Sequence, residues 1–447
     1  MLIQSCFNNY DIRGNIIHLK QNDVYRIGYE FANIVFENNG LSIAVGCDRR
    51  ESSPKLLKWL IEGISDYGMK VYCVNCATSP MMQFTEYIYE NVNATVMVTA
   101  SHNSWKDNGF KFTINKKPFF GEELQKLSQR LLDANCSEKR KSQLHTNLPV
   151  MSIYLQKLIN EFIIDSDIKV VWDAGHGAAG DVLFELLPQL HGTHILVRKE
   201  SKPMDTFDPA KSSFIDYTTS QVKSHNAHIG FAMDGDADRL VVIDDNYEVV
   251  SSDEMLAIFA LFSNAKKVVW DFKSSRVLAE WLDERGIECT LTHTGHAYIR
   301  KEMQRCKADF GGEISGHYLF GKCHFYIDDA IYSALVLIQI LSRLSISLSK
   351  LRKSLPTISV SKIFRIPITN KEEILNIILN SVQKKGLVCD IIFNNALLVN
   401  FPEGWWIARV AQTEPVLSVR CEGWTEDALN KILAQMENTL SNIGISL

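Results

Sequence analysis

Up to about residue 350, short β-branched runs alternate with amphipathic stretches, and no other feature limits the fold as much. The runs Ser42–Val45, Val71–Val74, Thr95–Thr99, Lys169–Trp172, Ile229–Met233, Leu240–Ile243 and Val268–Trp270 read as strands. Helical spacing of apolar residues marks Ser53–Tyr67, Glu122–Asp133, Asp253–Phe262 and Asp329–Leu341 between or beyond them. Alternation of this kind builds α/β units around largely parallel sheets. From about residue 358 the pattern changes. Ile358, Val360, Phe364, Ile366 and Ile368 stand at alternate or nearly alternate positions, a helix is expected over Lys371–Lys384, and after further strands a last helix over Glu426–Leu440. That is an α+β pattern. A chain of 447 residues has room for about three or four domains. Polar stretches near 135–147, 201–213 and 352–357 are the candidate boundaries or loops, and no short-period repeat is visible.

With 46% apolar and 22% charged residues, the composition is that of a soluble globular protein. A net charge of -5 argues against a nucleic-acid binder working through bulk charge. The first residues lack a basic stretch followed by an apolar core, so no secretory signal is expected. Tyr332–Leu348, the most apolar long stretch, is interrupted by Gln339 and Arg343 and is a poor membrane span. Ten scattered cysteines fit free thiols in a reducing, cytoplasmic setting, with Cys73 and Cys76 read as strand residues and not as a metal site.

Four segments carry chemistry. In the first, Asp234, Asp236 and Asp238 stand at alternate positions, followed by Arg239, between the apolar runs IGFAM and LVVID. Three like charges this close repel one another unless a cation neutralises them. Oxygen-only ligands favour a hard ion such as Mg2+. An EF-hand loop is a poor match, because Arg239 and Asp245 occupy the positions that need Gly and Glu. Two other readings stay open: a solvated acidic turn, and a haloacid-dehalogenase-type phosphatase with Asp234 as nucleophile and Asp236 as acid/base. That second pattern wants Thr or Val where Asp238 stands.

The second segment, Thr99-Ala-Ser101-His102-Asn103, puts a hydroxyl at a strand end, with Lys111 downstream. Ser101 is a candidate nucleophile or phosphoryl carrier if a base or metal lies near. Otherwise it is a turn or cap. The third, Gly311-Gly-Glu313-Ile-Ser315-Gly-His317, offers an acceptor, a hydroxyl and an imidazole to sugar hydroxyls, or else satisfies only its own backbone. In the fourth, Arg409 and Arg420 flank a turn containing Gln412 and Thr413, a combination that suits a phosphate or an ordinary hairpin. A decoy sits at Asp173-Ala-Gly175-His-Gly177-Ala-Ala-Gly180, which fits the dinucleotide fingerprint with Glu200 about twenty residues on. The same glycines also serve tight strand-to-helix packing.

In their order along the chain, these four segments resemble the α-D-phosphohexomutase superfamily over essentially the whole length. Within it the chain is most similar to the bacterial phosphomannomutase/phosphoglucomutase group. Tyr10-Asp-Ile-Arg13-Gly, Gly46-Cys-Asp48-Arg-Arg50, Asp271-Phe-Lys273-Ser-Ser-Arg and Thr294-Gly295-His296 support the resemblance, as does apolar Ile314 in the sugar loop. It implies three related mixed α/β domains followed by a smaller α+β domain, four domains around a central active-site cleft. These are expected at 1–147, 148–249, 250–357 and 358–447. It also implies a phosphohexomutase that interconverts hexose 1-phosphate and hexose 6-phosphate, of mannose and of glucose, through a hexose 1,6-bisphosphate. The alternatives are a phosphosugar phosphatase and a phosphoglucosamine-type mutase. By motif match Ser101 is the phosphoserine, and Mg2+ is held by Asp234, Asp236, Asp238 and the Ser101 phosphate. Arg13, Lys111, Arg239, His296 and His317 line the reaction centre, and Tyr10, Lys273, Glu313 and Ser315 bind the substrate. Arg409, Gln412, Thr413 and Arg420 grip its non-reacting phosphate. The implied partners are small sugar phosphates, with no nucleic acid or membrane, for a monomer or weak dimer in the cytoplasm. The chain departs from the family at Ser104-Trp105, where Pro is usual and a looser loop is expected, at Ser79-Pro80, and at Ala411, which replaces a serine.

Overall fold

The computed structural model describes residues 2–133, 145–164, 166–370, 373–384, 386–392, 396–410 and 416–445. Its strands form four sheets in chain order. In the first, Lys70–Cys76, Ser42–Cys47 and Ala94–Val98 run parallel, and Asp107–Ile114 then pairs antiparallel to the third of them. In the second, Thr193–Val197, Lys169–Asp173 and Ile229–Met233 are parallel, and Leu240–Ile243 is antiparallel. The third repeats this with Glu288–Thr292, Lys267–Asp271 and Phe310–Gly312 parallel and Tyr318–Phe320 antiparallel. Three sheets therefore share one topology. The strand that comes first in each parallel trio lies in its middle, and the third is followed by a tight return.

The repeat leaves a mark in the sequence that hydrophobic patterning passes over. Lys169–Asp173 and Lys267–Asp271 are the same pentapeptide, Lys-Val-Val-Trp-Asp, and each forms the central parallel strand of its sheet. Trp172 and Trp270 are buried there. The carboxylate at each strand end meets a cation: Arg198 Nε is 2.7 Å from Asp173 Oδ1, and Lys273 Nζ is 3.7 Å from Asp271 Oδ2. At the corresponding place in the first sheet, Arg50 Nε is 3.0 Å from Asp48 Oδ2.

Helices cover the sheets where apolar spacing predicts them. Ser53–Tyr67 has Pro54 in its first turn and ends at Gly68, whose φ of 97° is left-handed and suits glycine. Glu122–Asp133 matches its expected range. The helix expected from Asp329 begins at Ala330, because Asp329 accepts from Tyr332 N as its cap. Ala330–Leu344 packs into the core of the second and third domains, so its apolar length serves packing. Among the described residues, no helix is long and apolar enough to cross a membrane.

The last sheet is antiparallel throughout and takes two helices, Ile374–Lys384 and Glu426–Ser441, on one face. Consecutive strand residues point to opposite faces. Trp406 accordingly enters the core under these helices, while Trp405 joins Phe272 and Leu291 of the third domain.

Candidate active site

The return after the third parallel strand carries the chemistry in all three repeats. Residues 99–106 hold Ser101, residues 234–239 hold the acidic triad, and residues 313–317 hold Glu313, Ser315 and His317. The fourth candidate loop lies in the hairpin between Gly404–Val410 and Val416–Gly423. Gln412 and Thr413, with Ala411, fall outside the described residues.

The seryl and acidic loops meet backbone to backbone. A Cβ at Gly235 would stand 2.6 Å from Ser101 O, and one at Gly177 would stand 2.6 Å from Gly235 O. Only glycine permits both approaches. The glycine-rich segment at 175–180 thus packs against the acidic loop, with Ala178 N donating to Gly235 O at 2.9 Å. Packing accounts for this dinucleotide-like pattern. On the other side, Leu240 N donates to Gly316 O at 2.9 Å and Ala330 N to Ala237 O at 3.1 Å. The acidic loop is held between the first and third domains.

Ser101 is buried and adopts a left-handed φ of 50°, a conformation costly for a residue with a side chain and common at functional sites. Its hydroxyl donates to Asp234 Oδ2 at 2.8 Å, and its N–H donates to Thr99 Oγ1 at 2.8 Å. The looser loop expected from Ser104-Trp105 is not what forms. Arg50 donates to the carbonyls of Ser101 (2.7 Å), Asn103 (2.9 Å), Ser104 (2.5 Å) and Asp107 (3.1 Å), and Trp105 N donates to Met204 O at 2.9 Å. A guanidinium fork shared by four carbonyls replaces the stiffness of a proline. The role of Arg50 is not visible in its own segment, where its spacing from Asp48 is the available signal.

Asp234, Asp236 and Asp238 are buried, and one oxygen on each lies within 4.8 Å of the others, as a bound ion requires. Asp236 Oδ1 and Asp238 Oδ1 are buried with no hydrogen-bond partner among the described residues. Such orphans are rare unless an ion or water completes them. Lys111 Nζ reaches Asp236 Oδ2 at 2.7 Å and Asp238 Oδ2 at 2.5 Å. Burial, together with Asp238 and Asp236, raises the pKa of Asp234 well above the usual range. Burial also works against ionised Asp238, but Lys111 and His317 hold its pKa down at about 2. Like charges packed this tightly divide their protons in this way. The donor set, the orphaned oxygens and the depth of the site all fit a hard divalent cation.

Of the other expected residues, Arg13, Arg239 and His317 adjoin this centre, with His317 Nδ1 at 3.7 Å from Asp238 Oδ1. Arg13 donates to Asn103 Oδ1 at 3.2 Å and pairs with Asp11. Arg239 Nε donates to His317 Nε2 at 3.1 Å. Glu313 Oε2 accepts from Gly295 N at 2.8 Å and its other oxygen from Ser315. Against the effect of burial, His317 and Lys273 hold the Glu313 pKa at about 2, so it is a ready acceptor for hydroxyls. Tyr10 donates to Thr294 O at 2.8 Å, bringing the first domain against the third. Burial lowers Lys273, and it lowers His102 well below its ordinary value with help from Arg239 and Arg13. Arg409 has a buried Nε with no partner among the described residues. Arg420 differs: its guanidinium is already bonded to Asp253 and to Lys273 O.

Residues 4–135, 152–247 and 251–358 match the phosphoglucomutase/phosphomannomutase alpha/beta/alpha domains I, II and III, and residues 365–439 match the C-terminal domain. The chain belongs to the phosphoglucomutase/phosphomannomutase family. A phosphomannomutase/phosphoglucomutase of Pseudomonas syringae pv. tomato is 30% identical over 100% of this chain and 97% of its own length. A phosphoglucomutase of Neisseria gonorrhoeae is also 30% identical, over 96% of this chain and 95% of its own. Among solved structures, a phosphoglucomutase/phosphomannomutase family protein from Burkholderia thailandensis aligns with a TM-score of 0.89 at 28% identity, covering 99% of this chain and 98% of that one. Each of the four matched domains contains one of the four candidate segments.

Proposed function

We propose that this chain is a phosphohexomutase that interconverts the 1- and 6-phosphates of mannose and of glucose, with Ser101 as the phosphoryl carrier. One observation carries the reading: the Ser101 hydroxyl of the first domain lies 2.8 Å from Asp234 in the buried acidic loop of the second. Phosphoryl transfer depends mainly on positioning and charge neutralisation. Asp234, Asp236, Asp238 and the phosphorylated Ser101 would hold Mg2+, which when bound neutralises charge on the transferring group. Lys111, Arg13 and Arg239 add positive charge around the same centre. Glu313 and Ser315 orient the sugar through its hydroxyls. Arg409, Gln412, Thr413 and Arg420 hold the phosphate that does not react, and Arg420 also braces Lys273 and Asp253. In the cycle, a sugar hydroxyl attacks the Ser101 phosphoryl group, forming its O–P bond as the serine O–P bond breaks. The bisphosphate turns around, and Ser101 takes the other phosphoryl group back.

The phosphatase reading needs Asp234 as a free nucleophile. Its Oδ1 accepts from the backbone N–H groups of Asp238 and Arg239, both at 3.1 Å, and its Oδ2 accepts from Ser101. That geometry favours the serine. The test is 31P NMR of mannose 1-phosphate and of glucose 1-phosphate with Mg2+ and a trace of hexose 1,6-bisphosphate. Conversion of both to the 6-phosphates supports the reading; release of inorganic phosphate refutes it, and a strong preference for one sugar refutes the dual specificity.

A further inference from the structure

Asp328 ends the short strand Ile327–Asp328 and is fully buried. A single oxygen, Oδ2, faces two imidazoles, His296 Nδ1 at 2.8 Å and His317 Nδ1 at 3.0 Å. The rings stack with centroids 4.8 Å apart and planes 13° from parallel. The other oxygen, Oδ1, accepts from Gln83 Nε2 at 3.2 Å. Gln83 belongs to the helix Ser79–Ile88 of the first domain, so the bond crosses to the third. Gln83 Oε1 in turn accepts from Arg300, which donates to Lys116 O at 3.1 Å, back in the first domain. Neither Asp328 nor Gln83 has a part in the reading above.

An ionised carboxylate only accepts hydrogen bonds, so each nitrogen facing Asp328 Oδ2 is a donor. The His317 ring also lies near the acidic loop, Nδ1 at 3.7 Å from Asp238 Oδ1, and its Nε2 edge lies 3.1 Å from Arg239 Nε and 3.6 Å from Glu313 Oε1, on the side where sugar hydroxyls are expected. Carboxylates that set the tautomer and direction of a working histidine act in this manner.

We infer that Asp328 is the positioning residue for both histidines, holding each ring through its Nδ1–H, and that Gln83 fixes Asp328 across the interface between the first and third domains. This inference rests on the mutase reading. The device makes the placement of both rings dependent on the first domain being docked on the third.

The experiment combines spectroscopy and kinetics on the full chain. Long-range proton–nitrogen spectra of protein labelled with 15N-histidine, assigned with His296→Gln and His317→Gln, are expected to show both Nδ1 atoms protonated. Asp328→Asn is expected to lower kcat by ~10²-fold or more with little change in KM. Gln83→Leu is expected to lower kcat by ~10-fold with the same split. A purely structural role would leave the His317 Nδ1–H signal unchanged, whereas Asp328→Asn is expected to shift it. A wild-type His296 or His317 without a proton on Nδ1, or full kcat in either folded variant, overturns the inference. If Asp328→Asn does not fold, the wild-type spectrum and Gln83→Leu decide. If the wild type itself fails to interconvert sugar phosphates, the mutase reading falls, and the spectrum still judges the tautomer.

Discussion

Lys111 and Asp236 meet across the first and second domains, Nζ to Oδ2 at 2.7 Å. The ammonium neutralises part of the acidic triad, yet one oxygen on Asp236 and one on Asp238 stay without a partner among the described residues. Mg2+ is therefore expected to stabilise the protein before any sugar is added. At a hundred times its dissociation constant an ion binding only the folded state contributes ~2.7 kcal/mol. Scanning calorimetry should show a rise in unfolding temperature that Asp236→Asn removes. No rise, or the same rise in the variant, counts against the site.

Arg50 supports the seryl loop through four carbonyls while paired with buried Asp48. Arg50→Met strands that carboxylate, at a cost of ~3–5 kcal/mol. It should also lower kcat by ~10-fold or more, since the carrier hydroxyl loses its fixed direction. Urea titration and steady-state kinetics check the two effects separately. An Arg50→Met protein with wild-type kcat would show that the loop holds itself.

Glu86 is a source of pH dependence away from the reaction centre. It is buried, accepting from Thr113 and from Lys116 N, and burial raises its pKa from 4.5 to about 7 despite those donors. The folded chain thus keeps a proton that the unfolded chain releases. This contribution to stability is fully present below about 4.5 and is lost as pH rises through about 7. Its size is at most ~3 kcal/mol. Unfolding free energies of wild type and Glu86→Gln between these limits should diverge by that order. Parallel curves would contradict it.

Arg420 and Asp253 form a buried pair between the fourth and third domains, beside Glu422, which accepts from Trp405 Nε1 at 2.7 Å and from Arg276 N at 2.9 Å. A double-mutant cycle with Arg420→Met and Asp253→Asn should give a coupling of ~1.5 kcal/mol or more. Additive effects would mean the two do not act together.

Much of this fold is legible because each strand is short, apolar and bounded. Ile229–Met233 and Leu240–Ile243 form over their expected ranges, and the acidic loop between them needs no tertiary information to be noticed. What escapes local reading is what other domains supply. Nothing near Ser101 in the chain points to the four-carbonyl support from Arg50. Nothing near His317 shows that Gln83, more than two hundred residues earlier, braces its carboxylate. The spacing of Arg420 from Arg409 is visible in the chain, whereas its buried partner Asp253 is distant in sequence. The repeated pentapeptide was the one direct sign of internal repetition, and hydrophobic patterning does not register an exact repeat separated by about a hundred residues.

The central claim is that Ser101 carries the phosphoryl group. It is tested most directly by exposing the protein to a hexose 1,6-bisphosphate with Mg2+, digesting it, and mapping the modified peptide by mass spectrometry. The account predicts a single phosphoryl group on Ser101 and none in Ser101→Ala. Phosphoryl transfer to Asp234, or full mutase activity in Ser101→Ala, would contradict it.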